Sequence, residues 1–311
     1  MPGKKPLEKL YQILLSKSTK EKCEHAILWI AMVSFITHLL LIGLVHFDIL
    51  LVAEHSDLLN NPIAAIYTPF SFILVYEVYL LIYYLPKSTS NYISKQYEII
   101  ALIIIRRLFK DLSNLTFTAD WFNSKNDLQF TYDLIASVLL FYMIYLFHIQ
   151  RSANFRSPDA NKVNPMSISK FVNAKKWVAT ALVMVLFFIA AYSFFNWSLG
   201  LFQPNEAHTI SFKNINNIFF EQFFNILIIA DVLLLLFSFF HTDEFHKVIR
   251  NSGFIISTIL IRLSFSATGI ISTVLIVSAI LFGLLIIFIY NQYEKKLALG
   301  IIKESNNMEY P

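Results

Sequence analysis

Residues 267–291 read ATGIISTVLIVSAILFGLLIIFIYN, without one charged side chain. An α-helix rises about 1.5 Å per residue, so about 20 apolar residues cross a hydrocarbon core about 30 Å thick. This stretch is long enough and apolar enough to do so. Working outward from it, seven further apolar stretches lie at 26–52, 62–85, 97–113, 129–149, 177–199, 216–240 and 251–265. They are continuous runs, unlike the roughly 10-residue alternating segments of an outer-membrane barrel. The expected fold class is all-α: a polytopic integral membrane protein with eight transmembrane helices. Stretches 97–113 and 251–265 are short and carry Arg near one end. Such helices reach across by letting long basic side chains snorkel to the interface.

Composition points the same way. The chain has 311 residues, 56% hydrophobic and only 15% charged, with 30 Phe and 15 Tyr. A soluble domain carries about 25% charged residues. Disorder, a collagen helix and a disulfide scaffold are excluded by the apolar content and by the single cysteine, Cys23. Near the cytoplasmic interface that thiol is expected to be reduced.

Charge sets the orientation. With both termini cytoplasmic, 19 Lys and Arg fall on the cytoplasmic side, in the first 25 residues, the 86–96 hairpin, the central loop, the 241–250 hairpin and the tail. Only Lys110, Lys125 and Lys213 fall on the other side, and Arg106, Arg107 and Arg262 lie within spans. This is a strong positive-inside bias, and an odd number of spans would spoil it. The first apolar run is too long for a signal-peptide core and lacks a small-residue cleavage site. Leu7, Leu10, Tyr11, Leu14 and Leu15 share one helical face, which predicts a short interfacial helix before the first span. The formal charge of +4 needs no nucleic-acid partner; basic loops beside anionic lipid account for it.

Two stretches resemble each other. Residues 74–109 read LVYEVYLLIYYLPKSTSNYISKQYEIIALIIIRRLF, and residues 229–265 read IADVLLLLFSFFHTDEFHKVIRNSGFIISTILIRLSF. Each runs acid-Val, apolar helix end, polar loop, basic residue, apolar helix, Arg-Leu. Lys95 stands 18 residues after Glu77 and 12 before Arg107; Arg250 stands 19 after Asp231 and 12 before Arg262. The halves divide at the Ser-, Asn- and Pro-rich loop RSANFRSPDANKVNPMSIS. Four spans per half is even, so the repeats are parallel, unlike inverted-repeat transporters. The expected organisation is a cytoplasmic interfacial segment 1–25, a four-helix membrane repeat 26–150, a cytoplasmic linker 151–176, a second four-helix repeat 177–293 and a cytoplasmic tail 294–311.

Each half resembles the phosphate-starvation-inducible PsiE family of small four-span bacterial membrane proteins. In the first half the resemblance runs through Tyr76-Glu77, Lys95, Ile99 to Ile105, Arg107-Leu108 and Tyr132-Asp133. In the second it runs through Asp231, Arg250, Arg262 and Leu263, and departs where Thr268 or Gly269 stands in place of Asp133. Both halves lack the Pro-Leu pair associated with the family's cytoplasmic hairpin. The resemblance implies a multi-pass protein of the bacterial cytoplasmic membrane and carries no settled activity with it. A fused tandem copy implies that single-copy relatives pair and that this chain joins the pair covalently.

Glu77, Arg107, Asp133, Asp231 and Arg262 are the candidate functional residues, with Lys95 and Arg250 as interfacial basic residues. A charge near mid-membrane costs at least about 2.5–3.5 kcal/mol, so each needs a partner or a wet cavity. Glu77 is expected to face Arg107, with Asp133 as an alternative partner for that arginine. Glu98, Arg106, His38, Glu221 and Asn225 add polarity to the helices. Two readings compete: a pathway for protons, small cations or inorganic anions, and a structural clamp that holds helices in register. A voltage sensor would carry several Arg at three-residue spacing, whereas Arg106 and Arg107 are adjacent. Gly and Pro are sparse within the spans, and no Gly-rich carbonyl filter is present, which argues against unwound substrate sites and potassium pores.

No P-loop, GxSxG, HExxH, GxGxxG or CxxC occurs, so an enzyme is not expected, nor a cofactor. Two clusters have imidazole and carboxylate of the kind divalent ions use: His46, Asp48, Glu54, His55 and Asp57, and His241, Asp243, Glu244 and His246. Their spacing matches no metal signature, and solvated loops are the expectation. The functional expectation is a membrane scaffold or regulatory subunit, with an ion or proton channel or transporter as the alternative. The expected partners are the lipid bilayer and a membrane protein or a second copy of the chain.

Overall fold

The computed structural model describes residues 6–47, 65–112, 125–152, 165–200, 212–240, 244–265, 267 and 269–299. They form α-helices, with the end of a 3-10 turn at 65–66 preceding the third: α1 Pro6–Leu14, α2 Lys17–His46, α3 Tyr67–Tyr84, α4 Thr89–Leu112, α5 Lys125–Ser152, α6 Pro165–Gly200, α7 Phe212–Phe239, α8 Phe245–Ser264 and α9 Ile270–Ala298. Each apolar stretch read from the sequence coincides with one of α2 to α9.

Among the described residues, five segments are long and apolar enough to cross a membrane: Glu8–His46, Asp127–Ser152, Ser169–Ile189, Gln222–Phe239 and Ile270–Leu297. A shorter apolar helix, Thr68–Tyr84, stands beside them. Helices α4 and α8 fall outside that group because their N-terminal turns are polar and each carries arginine near its other end. What they lack in apolar length they supply as internal packing surface.

Local sequence sets the boundaries. The Ser16 hydroxyl accepts the Thr19 backbone N–H at 3.1 Å and caps α2. Gly269 opens α9 with φ of 68°, a left-handed value that a side chain would strain. Lys295 and Lys296 lie in the last turn of α9, where cations complement the helix dipole.

Helices pack in sequence order within each half: α2 on α3, α3 on α4, α4 on α5, then α6 on α7, α7 on α8, α8 on α9. Further contacts join α5 to α9, α4 to α8, α3 to α6 and α1 to α6. One core therefore contains residues from both halves. The sequence left one bundle or two undecided; the packing is a single bundle. Its centre is aromatic. Tyr97 of α4 meets Phe147 of α5 edge-on at 4.9 Å, and Phe147 meets Phe254 of α8 at 5.7 Å. All three are fully buried.

Gly283 of α9 is what allows α4 this close. A Cβ there would overlap the Tyr97 hydroxyl, which bonds Ser257 of α8 at 2.7 Å. Helix α2 lies at the edge and packs on α3 alone among the stronger contacts. It buries only Ala31 and Ile42 and turns Trp29, Val33 and Leu40 outward. The short helix α1 docks on the bundle, with Leu15 just beyond its end buried, Tyr79 donating to Leu14 O at 2.9 Å and Lys176 lying over the Tyr11 ring. The predicted amphipathic segment thus has a protein partner for part of its apolar face.

Candidate functional site

Among the described residues, acid–arginine pairs lie inside the bundle at three places. In α3, Glu77 accepts from Arg106 Nη2 of α4 at 2.7 Å. In α5, Asp133 accepts from Arg107 Nη2 at 2.7 Å. In α7, Asp231 accepts from Arg262 Nη2 of α8 at 2.6 Å. The three acids are at most 3% exposed.

The expected Glu77–Arg107 pairing is corrected. Successive helical residues point about 100° apart, and α4 lies between α3 and α5. Arg106 therefore faces Glu77 on α3, while Arg107 faces Asp133 on α5. Arg106, read from sequence only as added polarity, is a full member of the site. The adjacency of the two arginines was the signal: two faces, two acids. In α8 the residue before Arg262 is Ile261, which is buried in apolar core, so a single arginine serves the single acid there.

Arg107 also binds across the halves. Its Nη1 donates to Ser272 Oγ at 2.9 Å and its Nη2 to Thr273 Oγ1 at 3.2 Å, both on α9. Thr273 in turn donates to Asp133 Oδ1 at 2.5 Å. Helix α9, which lacks an acid where α5 has Asp133, supplies hydroxyls instead. Asp231 is likewise held from the other half: the Tyr92 hydroxyl of α4 donates to its Oδ1 at 2.9 Å. Buried charge is tolerated when such additional hydrogen bonds fill the remaining lone pairs. Arg107 Nε, Asp133 Oδ2 and Arg262 Nη1 are buried without a hydrogen-bond partner.

Beside Asp231 lies a cavity of about 30 Å³, bordered by Thr89, Tyr92, Lys175, Asp231, Ser238 and Asn251 among others. Lys175 is buried there, with its ammonium donating to Lys87 O at 3.1 Å.

The interfacial basic residues have local partners. Lys95 pairs with Glu98 at 2.5 Å and lies over the Tyr84 ring; Glu98 also meets His148 of α5 at 3.1 Å. Arg250 lies 4.4 Å from the Tyr290 ring centroid and donates to Asn251 Oδ1. His38 of α2 bonds Thr68 of α3. Asn225 faces outward, and the Glu221 side chain lies outside the described residues.

Of the first histidine cluster only His46 is described; Asp48, Glu54, His55 and Asp57 lie outside the described residues, as do His241 and Asp243 of the second. Glu244 and His246 are close: His246 Nε2 is 3.3 Å from Glu244 and 3.1 Å from Glu294 of α9. The His246 ring stacks on Tyr293 at 4.9 Å. Among the described residues no group of three or more His, Cys, Asp or Glu is arranged to hold a metal ion. Cys23 is a partly buried free thiol.

Comparison of the chain with protein-family models, with curated proteins and with solved structures finds no match. The reading of function therefore rests on the geometry.

Proposed function

We propose that the chain is an integral membrane scaffold or regulatory subunit that acts through its outer helix faces on a membrane partner or a second copy. The observation that carries this reading is the sealing of the acids. Glu77, Asp133 and Asp231 are buried among helices, and each is paired with an arginine within hydrogen-bond distance. A conduction path would need them to face continuous water. The charges instead clamp α3, α4 and α5 in one half and α7 and α8 in the other, leaving outward apolar faces, α2 above all, for lipid or protein.

The wider proposal is an eight-span protein of the bacterial cytoplasmic membrane, with both termini cytoplasmic and two parallel repeats. The PsiE-family resemblance belongs to this proposal. It is supported by the acid on the second helix and the arginine on the third in each half, and by the Arg107–Asp133 pair on which part of the resemblance rests.

A second reading, a channel or transporter, draws on the cavity beside Asp231. Ion flux in proteoliposomes separates the two, with wild type compared with the Glu77→Gln/Asp231→Asn variant over several voltages and pH values. The scaffold reading expects no flux above empty liposomes and a lowered thermal midpoint in the variant. Flux that disappears in a folded, inserted variant would overturn it.

A further inference from the structure

We propose that the cavity beside Asp231 is a binding site for one small monovalent anion of the size of chloride. The site does not depend on the scaffold reading, since an anion held there would tie α6 to α7 and α8 whether or not ions cross the membrane. Its polar walls come from four helices: Tyr92 of α4, Lys175 of α6, Asp231 and Ser238 of α7, and Asn251 of α8. Each of these side chains is at least nine-tenths buried.

Charge decides the class of ligand. Asp231 is neutralised by Arg262 at 2.6 Å, and the Tyr92 hydroxyl takes its other oxygen. Lys175 is also attracted to Asp231, but among the described residues that one carboxylate serves both Arg262 and Lys175, which leaves one positive charge in surplus. Lys175 donates to the Lys87 carbonyl and lies 4.8 Å from the Phe171 ring centroid, and neither group carries a charge. An uncompensated buried cation is costly, and an anion in contact with it offsets that cost.

Hydrogen-bonding capacity agrees with the charge. Asn251 Oδ1 already accepts Arg250 Nε at 3.3 Å and Nη2 at 3.0 Å, which leaves its amide N–H groups to donate. Ser238 has committed its hydroxyl proton to Leu235 O at 2.8 Å. Lys175 retains N–H capacity beyond its one carbonyl. Donors therefore exceed acceptors, as an anion requires. Valence narrows the class further: one surplus positive charge is offset by one monovalent anion, whereas a divalent sulfate or phosphate would leave a buried negative charge, and the small cavity suits an inorganic ion.

The test uses the full chain in nanodiscs. Its thermal unfolding midpoint is followed in sodium chloride, sodium gluconate and sodium sulfate at equal ionic strength. The expected result is a saturable rise with chloride that gluconate and sulfate do not produce. Two variants are read alongside, because loss of Lys175 also removes its bond to the Lys87 carbonyl. Lys175→Met is expected to abolish the chloride dependence, and Asn251→Leu to weaken the apparent chloride affinity about tenfold. Equal midpoints in chloride and gluconate would overturn the proposal. So would an equal rise in sulfate, which marks a general salt effect, or an unchanged chloride response in both variants.

Discussion

Two adjacent arginines, Arg106 and Arg107, serve two different acids on two different helices. Buried pairs of this kind are asymmetric in energy: removing one partner strands the other charge at a cost of about 3–5 kcal/mol, while replacing both with apolar groups is often neutral. Arg262→Met and Asp231→Asn are each expected to lower stability by about that amount. The double variant Asp231→Leu/Arg262→Met is expected to be more stable than either single one, measured as thermal midpoints in detergent or nanodiscs. The Arg106/Arg107 assignment makes a sharper prediction. A double-mutant cycle between Glu77 and Arg106 is expected to give a coupling energy of about 1–3 kcal/mol, and the cycle between Glu77 and Arg107 close to none. The reverse order would restore the pairing expected from the sequence.

At the scale of elements, the contact of α4 with α8 and α9 depends on Gly283. A methyl group there overlaps the Tyr97 hydroxyl, a fully buried side chain in the aromatic centre. Overpacking of this sort costs about 1–3 kcal/mol. Gly283→Ala is expected to lower the thermal midpoint. Adding Tyr97→Phe is expected to recover part of the loss, because it removes the overlapping atom at the cost of one hydrogen bond to Ser257. No recovery would mean that α9 is displaced as a whole. Nothing in the local sequence sets Gly283 apart; its role is visible only with Tyr97 opposite it.

For the whole molecule, the contacts between halves are polar as well as apolar. Arg107 bonds Ser272 and Thr273, Tyr92 bonds Asp231, Tyr97 bonds Ser257, and Asn291 donates to Gln150 O at 2.6 Å. A half made alone would expose Arg107 and Asp231 with partners missing. Residues 1–158 and 159–311, produced separately, are expected to be degraded, and produced together to co-purify as a folded pair. Stable accumulation of either half by itself would contradict the single bundle. Reporter fusions test the proposed topology: fusions at the N-terminus, in the 153–164 linker and at the C-terminus are expected to report one side, and fusions in 113–124 and 201–211 the other.

Much of the architecture was legible in the one-dimensional pattern. Uncharged runs such as 267–291 specify membrane-length helices because backbone polar groups in hydrocarbon must be satisfied within the segment. Their order and approximate limits follow from local chemistry, and so do α2 to α9 as helices. The candidate acids were legible too, since charges amid apolar residues stand out; Asp231 and Arg262, both singled out in this way, meet in the structure. Which arginine meets Glu77 was not legible. That depends on how far α4 is rotated about its axis, and the rotation is set by long-range packing of Tyr97, Phe147 and Phe254. Nor was the union of the two halves in one core, because helix faces of similar apolarity pack equally well on lipid or on protein. The surplus charge of Lys175 arises in the same way: a lysine read as belonging to a cytoplasmic linker becomes a buried cation because α6 lies against the α3–α4 turn, α7 and α8.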